Sequence, residues 1–170
     1  VYKRQARLVE AMHTRIREEA RPGRPKHELV AEIYDASLRG VPGVSGDYAA
    51  IVPLIGAGPE AAAPHLTWDE RPLRADEGVF FEIAGCYRHY HCPVSRTLHF
   101  GPPPKKLRDA EQAVLEGMEA GFERARAGNR CEDVANAFSA ALARHGFHKD
   151  SRTGYPIGIS SPPDWGERTM

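Results

Sequence analysis

Val79-Phe80-Phe81-Glu82-Ile83-Ala84-Gly85-Cys86-Tyr87-Arg88-His89-Tyr90-His91 is the stretch whose reading decides the fold. β-Branched and aromatic residues dominate it, and one carboxylate interrupts an otherwise apolar run. Residues 79–85 and 86–91 read as paired or consecutive strands with Gly85 between them, and 95–100 continues as another. Before them, 41–78 is punctuated by Gly and Pro, with one apolar run, 49–55, read as a strand before a long polar loop. Helical spacing frames this β region. Leu8, Val9, Met12 and Ile16 predict an amphipathic helix over about 2–20, stopped by Arg21-Pro22-Gly23; Leu29, Val30, Ile33 and Leu38 predict a second, from Pro25 to a cap at Gly40. After Pro102-Pro103-Pro104, a third helix with Leu107, Val114, Leu115, Met118 and Phe122 on one side runs to about 127. A fourth, over about 132–145, buries Val134, Ala137, Phe138, Ala141 and Leu142, and a short strand is expected at 155–159. The order α-α-β-β-β-α-α-β predicts an α+β domain with helices over a mostly antiparallel sheet.

The chain has 170 residues, 41% of them apolar, and balances 23 Lys and Arg against 23 Asp and Glu. Disorder and polyelectrolyte character are excluded. No basic stripe is present to neutralise a phosphate backbone, so no nucleic-acid partner is expected. The longest stretch without charge, 48–59, is far short of the ~20 residues a bilayer needs and contains Pro53, so no membrane span is expected. Three cysteines without a C-x-x-C pair fit a reducing compartment, and the chain is expected to be cytoplasmic. It begins at Val1 and ends at Met170 without a closing element, and is read as a fragment.

Glu82 is the leading chemical candidate, because a carboxylate among Phe81, Ile83 and Ala84 requires a cation or donor if it is buried. Strand alternation also permits it on a solvated face. Of the eight histidines, His13, His27 and His145 read as solvated helix residues. His89 and His91 form a His-x-His pair, a weak metal signal without a third ligand. His65, in an irregular loop after Pro64, has no role in helix or sheet and is a candidate functional histidine. Trp165, in Pro162-Pro163-Asp164-Trp165-Gly166-Glu167, offers a face for an organic cation or an anchor for its loop. Gly154-Tyr155-Pro156-Ile157-Gly158 lacks the Lys-Ser/Thr ending and following helix of a phosphate loop, so nucleotide binding is unsupported.

Several strings together carry a resemblance: Arg21-Pro22-Gly23 with His27-Glu28-Leu29, Pro64-His65, 76–85, Ser95-Arg96-Thr97 before Phe100-Gly101, and 154–158. They resemble the pita-bread fold shared by methionine aminopeptidase, prolidase and creatinase. The resemblance implies that 1–170 is a partial catalytic domain lacking an amino-terminal domain and its carboxyl-terminal part. It also implies that His65 matches a catalytic histidine, and that a two-metal site would occupy five side chains. The first metal Asp falls on Glu82, the second on Pro93 and the ligand His on Tyr155, while the remaining two carboxylates would lie beyond Met170. Two ions ~3.5–4 Å apart need bridging carboxylates, so this degenerate set argues against a dinuclear site and no cofactor is expected.

The strings 80–87, Tyr90-His91-Cys92-Pro93 and 162–169 look most like the ectoine hydrolase branch of the fold. That resemblance implies metal-independent hydrolysis of a cyclic amidine, ectoine to acetyl-diaminobutyrate, with ectoine or hydroxyectoine as the zwitterionic substrate. Glu82 would pair with the amidinium and add to its carbon or activate water, His65 would shuttle protons, and Trp165 and Tyr155 would wall the pocket. A homodimer is implied as well. The alternatives are a metal-dependent Xaa-Pro aminopeptidase or prolidase, and an inactive binding member of the fold.

Overall fold

The computed structural model describes residues 3–160. Within them the chain divides into two compact units, one formed by 3–102 with 157–160 and the other by 103–156.

In the first unit, helices α1 (Arg4–Glu19) and α2 (Lys26–Arg39) form a hairpin against an antiparallel sheet of β1 (Leu54–Ala57), β2 (Gly78–Tyr87) and β3 (Tyr90–His99), in that spatial order. The helical stripes meet the sheet as their periodicity demands. Val9, Met12 and Ile16 of α1 and Leu29, Val30 and Ile33 of α2 pack with Ile55, Val79, Phe81 and Ile83 in one buried cluster. Truncating a buried Phe such as Phe81, with no exposed surface, costs about 3–5 kcal/mol at such a site. Leu38, expected on the α2 stripe, is instead exposed, and Ala36 and Ser37 take the buried positions.

The sheet differs from expectation in three places. The first strand lies at 54–57, just after Pro53, which has no N–H to give to a ladder. The segments read as three strands are two ten-residue strands joined at Arg88 and His89. Both turn residues have positive φ, 50° and 61°, in a hairpin type that ordinarily selects Asn-Gly, so no turn signal marks it. Asp47 Oδ2 compensates by accepting the Arg88 backbone N–H. Finally, 155–159 forms no strand; a single bridge joins Ile159 to Tyr90.

The second unit pairs α3 (Lys105–Arg124) with α4 (Cys131–Arg144). The buried face of α3 is not the expected row of large residues. Ala113, Gly117 and Gly121 are buried, whereas Leu115, Met118 and Phe122 are 55%, 43% and 69% exposed. A Cβ at Gly117 would stand 2.8 Å from Leu142 Cδ1 and 2.9 Å from Phe138 Cδ2, so the small residues let α4 approach closely.

Candidate active site

Glu82 sits in the central strand, opposite Leu54 of β1 and Ser95 of β3. Because Val79, Phe81 and Ile83 belong to the core cluster beneath the helices, alternation turns Phe80, Glu82 and Ala84 to the other face. The Glu82 side chain is half-buried there and makes no hydrogen bond or ion pair with the described residues. Both readings open in the sequence are thus partly realised, since the carboxylate leaves the core yet stays incompletely solvated.

Pro93 pairs with Ala84 and is therefore the diagonal neighbour of Glu82 on that same face. Proline is tolerated because β3 borders the three-stranded sheet. A dinuclear centre drawing on these two positions would find one carboxylate and one ring without a donor. Among the described residues, no group of three or more His, Cys, Asp and Glu side chains is arranged to hold a metal ion. The residues present do not fit such a centre.

The histidines divide differently from expectation. His91 is buried, and its Nε2 accepts the Ala50 backbone N–H at 2.9 Å, which leaves Nδ1 to donate to the His89 carbonyl at 2.8 Å. Both nitrogens are committed to the backbone, and burial holds the imidazole below its ordinary pKa. His89 lies in the hairpin turn, its ring edge-on to Tyr48 with centroids 5.1 Å apart. A His-x-His metal pair is ruled out by this geometry. His13, expected on a solvated helix face, is 7% exposed with Nε2 3.2 Å from the Val94 carbonyl oxygen. The β3 backbone at Val94 packs against this face of α1 and covers it.

His65 lies in an exposed turn, as its loop context predicted, and adopts a left-handed backbone with φ 66°. Its side chain makes no hydrogen bond or ion pair among the described residues. Glu82 and His65 are both in the first unit. Tyr155 belongs to the second, where the Arg152 guanidinium stands 4.7 Å from its ring centroid, so this ring face already receives a cation. Trp165 lies outside the described residues.

The loop that carries His65 holds residues not singled out in the sequence. Trp68 packs edge-on to Tyr34, with centroids 6.5 Å apart. Lys26 is 1% exposed and donates to Glu60 Oε2 at 2.7 Å and Asp69 Oδ1 at 2.8 Å. Its hydrogen bonds hold both carboxylates below their usual pKa. Arg71 donates to the Ala57 carbonyl at 3.0 Å and reaches Glu60 and Glu77, each at 3.3 Å. A signal existed: Lys26 continues the apolar stripe of Leu29, Val30 and Ile33 backward by one turn, where a solvated lysine does not belong.

Comparison with known proteins places this geometry in a family. Residues 1–167 match the model of metallopeptidase family M24. The chain is 53% identical over 170 residues to the ectoine hydrolase of Halomonas elongata, covering 96% of this chain and 43% of that protein. It is 37% identical over 169 residues to an uncharacterized hydrolase/peptidase of Sinorhizobium fredii, covering 99% of this chain and 43% of that one. Among solved structures, the prolidase from Pyrococcus furiosus superposes with a TM-score of 0.83 at 20% identity, over 99% of this chain and 51% of its own. Dipeptidase PepE from Mycobacterium ulcerans gives 0.80 at 25% identity, over 99% and 46%. The chain spans less than half the length of the curated relatives it matches. With residues 1–167 matching the family model and the pita-bread fold of its structural neighbours, the chain belongs to metallopeptidase family M24 as part of the fold.

Proposed function

We propose that the full-length protein is a hydrolase that opens the cyclic amidine of ectoine or hydroxyectoine without a metal ion. The observation that carries this reading is a half-buried Glu82, without a hydrogen bond or ion pair among the described residues, diagonal to Pro93 on one sheet face. A carboxylate there meets a delocalised cation at low desolvation cost, whereas a dication beside it would repel an amidinium substrate. Identity to the ectoine hydrolase of Halomonas elongata supports the same substrate class.

In this mechanism Glu82 pairs with the amidinium and either adds to its carbon or removes a proton from the attacking water. Water oxygen ends on that carbon, one ring C–N bond breaks, and His65 delivers a proton to the departing nitrogen. The product is an acetylated diaminobutyrate. By the resemblance, Tyr155 and Trp165 are proposed as substrate-binding residues of the full-length enzyme, a cation on an aromatic face being worth roughly 0.5–2 kcal/mol. The chain supplies part of the catalytic domain in this reading. The rest of the fold and an amino-terminal domain complete it in a cytoplasmic homodimer.

Ring opening followed by NMR in the full-length enzyme tests the proposal. Glu82→Gln and His65→Ala are each expected to lower turnover at least a hundredfold with the fold retained. Wild-type activity in Glu82→Gln removes that carboxylate from the mechanism. Two tightly held divalent ions per chain, with activity lost in chelator, would instead establish metal-dependent chemistry. Absence of ring opening in the wild-type enzyme itself would instead favour an inactive binding member of the fold.

A further inference from the structure

Lys26 is the one Lys, Arg, Asp or Glu in the fully buried class among the described residues. An ammonium withdrawn from water is tolerated only with close partners, and its two carboxylates come from opposite ends of one loop, Glu60 before His65 and Asp69 after it. A single buried cation thereby closes residues 60–69 on themselves. Arg71 tightens the same end, since its backbone N–H donates to Asp69 Oδ1 at 2.9 Å and its guanidinium reaches Glu60. Between these ties His65 holds a left-handed backbone, which a residue with a Cβ keeps only where surrounding structure imposes it.

Stability does not account for this arrangement. A buried ion pair contributes little over an apolar residue of the same size, while it specifies one geometry sharply. The base of the loop is already secured by the backbone, through Lys26 N–H to Arg71 O at 3.3 Å and Leu73 N–H to Arg24 O at 2.9 Å. What Lys26 adds is a tie on either side of His65, beside the backbone link of Ile55 N–H to Leu66 O at 3.2 Å. The two carboxylates are 35% and 55% exposed, so without the ammonium they can turn to water and let the loop spread.

From this we infer that Lys26 is a positioning residue, which fixes residues 60–69 in the shape that presents His65 to the substrate. The inference rests on the catalytic reading of His65 given above. Lys26→Met keeps the length and burial of the side chain and removes the cation. Asp69→Ala, at a more exposed position, leaves the Lys26–Glu60 pair intact and serves where the first variant fails to fold.

Hydrogen exchange and steady-state kinetics of the full-length enzyme provide the test. In both variants, exchange of the Ala63 amide, which donates to Glu60 O, and of the Ile55 amide, which donates to Leu66 O, is expected to rise at least tenfold, while amides of β2 and β3 keep wild-type protection. Turnover is expected to fall at least tenfold with KM within threefold of wild type. Lys26→Met added to His65→Ala should cause no further loss, because a positioning residue has nothing left to position. Unchanged exchange in the folded variants overturns the inference, as does a turnover loss that multiplies fully with that of His65→Ala. Wild-type turnover in His65→Ala would remove the catalytic reading itself, and exchange would still report separately whether Lys26 holds the loop.

Discussion

At Gly85 α1 and β2 approach closely, and substituting it measures how tightly the sheet carrying Glu82 is clamped. A Cβ at position 85 would lie 2.3 Å from Gln5 O, 2.7 Å from Val9 N and 3.1 Å from Leu8 Cβ. Two of these are backbone atoms of a helix, so no rotamer change relieves the clash. Restoring ordinary contact, 3.4 Å or more, requires α1 to retreat by about 1 Å, loosening Leu8, Val9, Met12 and Ile16, each at most 3% exposed. Overpacking typically costs ~1–3 kcal/mol, and a rigid backbone obstacle puts Gly85→Ala at the top of that range, about 3 kcal/mol. For a chain of this size that lowers Tm by roughly 6–12 °C. Gly78→Ala on the same strand is the control. Its Cβ would meet nothing nearer than 3.8 Å, and losing a glycine's freedom in the unfolded chain makes it neutral or stabilising by up to ~1 kcal/mol. Urea unfolding followed by circular dichroism compares the two. If Gly85→Ala falls within ~0.5 kcal/mol of Gly78→Ala, the reasoning from close helix–strand approach is refuted.

Two further outcomes follow from the buried groups. Burial lowers the His91 and His13 pKa values from 6.5, so between the lowered values and 6.5 the unfolded chain binds more protons than the folded one. Their contribution is therefore complete above about pH 6.5 and is lost as pH falls through that window, and His91→Asn should flatten the slope of stability against pH there. An unchanged slope would place the proton uptake elsewhere. The Cys86 thiol is buried and pushed up to about 11, whereas Cys131 is exposed. At about pH 8 a thiol reagent should modify Cys131 at once and Cys86 only after unfolding. Rapid labelling of Cys86 in the folded chain would contradict its burial.

Periodicity alone located the four α-helices of the described residues, because a helix burying one stripe writes that stripe into its own residues at 3.6-residue spacing. The same local logic put Glu82 inside a strand and His65 in a loop, and the family resemblance drawn from short strings agrees with the match to metallopeptidase family M24. Tertiary structure decided the rest. The 88–89 turn has no Gly or Asn to announce it, since its positive-φ residues are held by Asp47, distant in sequence. Whether Glu82 faced core or open surface depended on which side of β2 the helices covered, and its adjacency to Pro93 depended on the register with β3. The small-residue face of α3 was hidden for a similar reason, as Gly117 becomes a packing residue only when Phe138 and Leu142 of α4 arrive beside it. Lys26 shows the division most clearly: its place on the apolar stripe is a property of the sequence, but what makes it tolerable there, two carboxylates from a loop folded back over it, exists only in three dimensions.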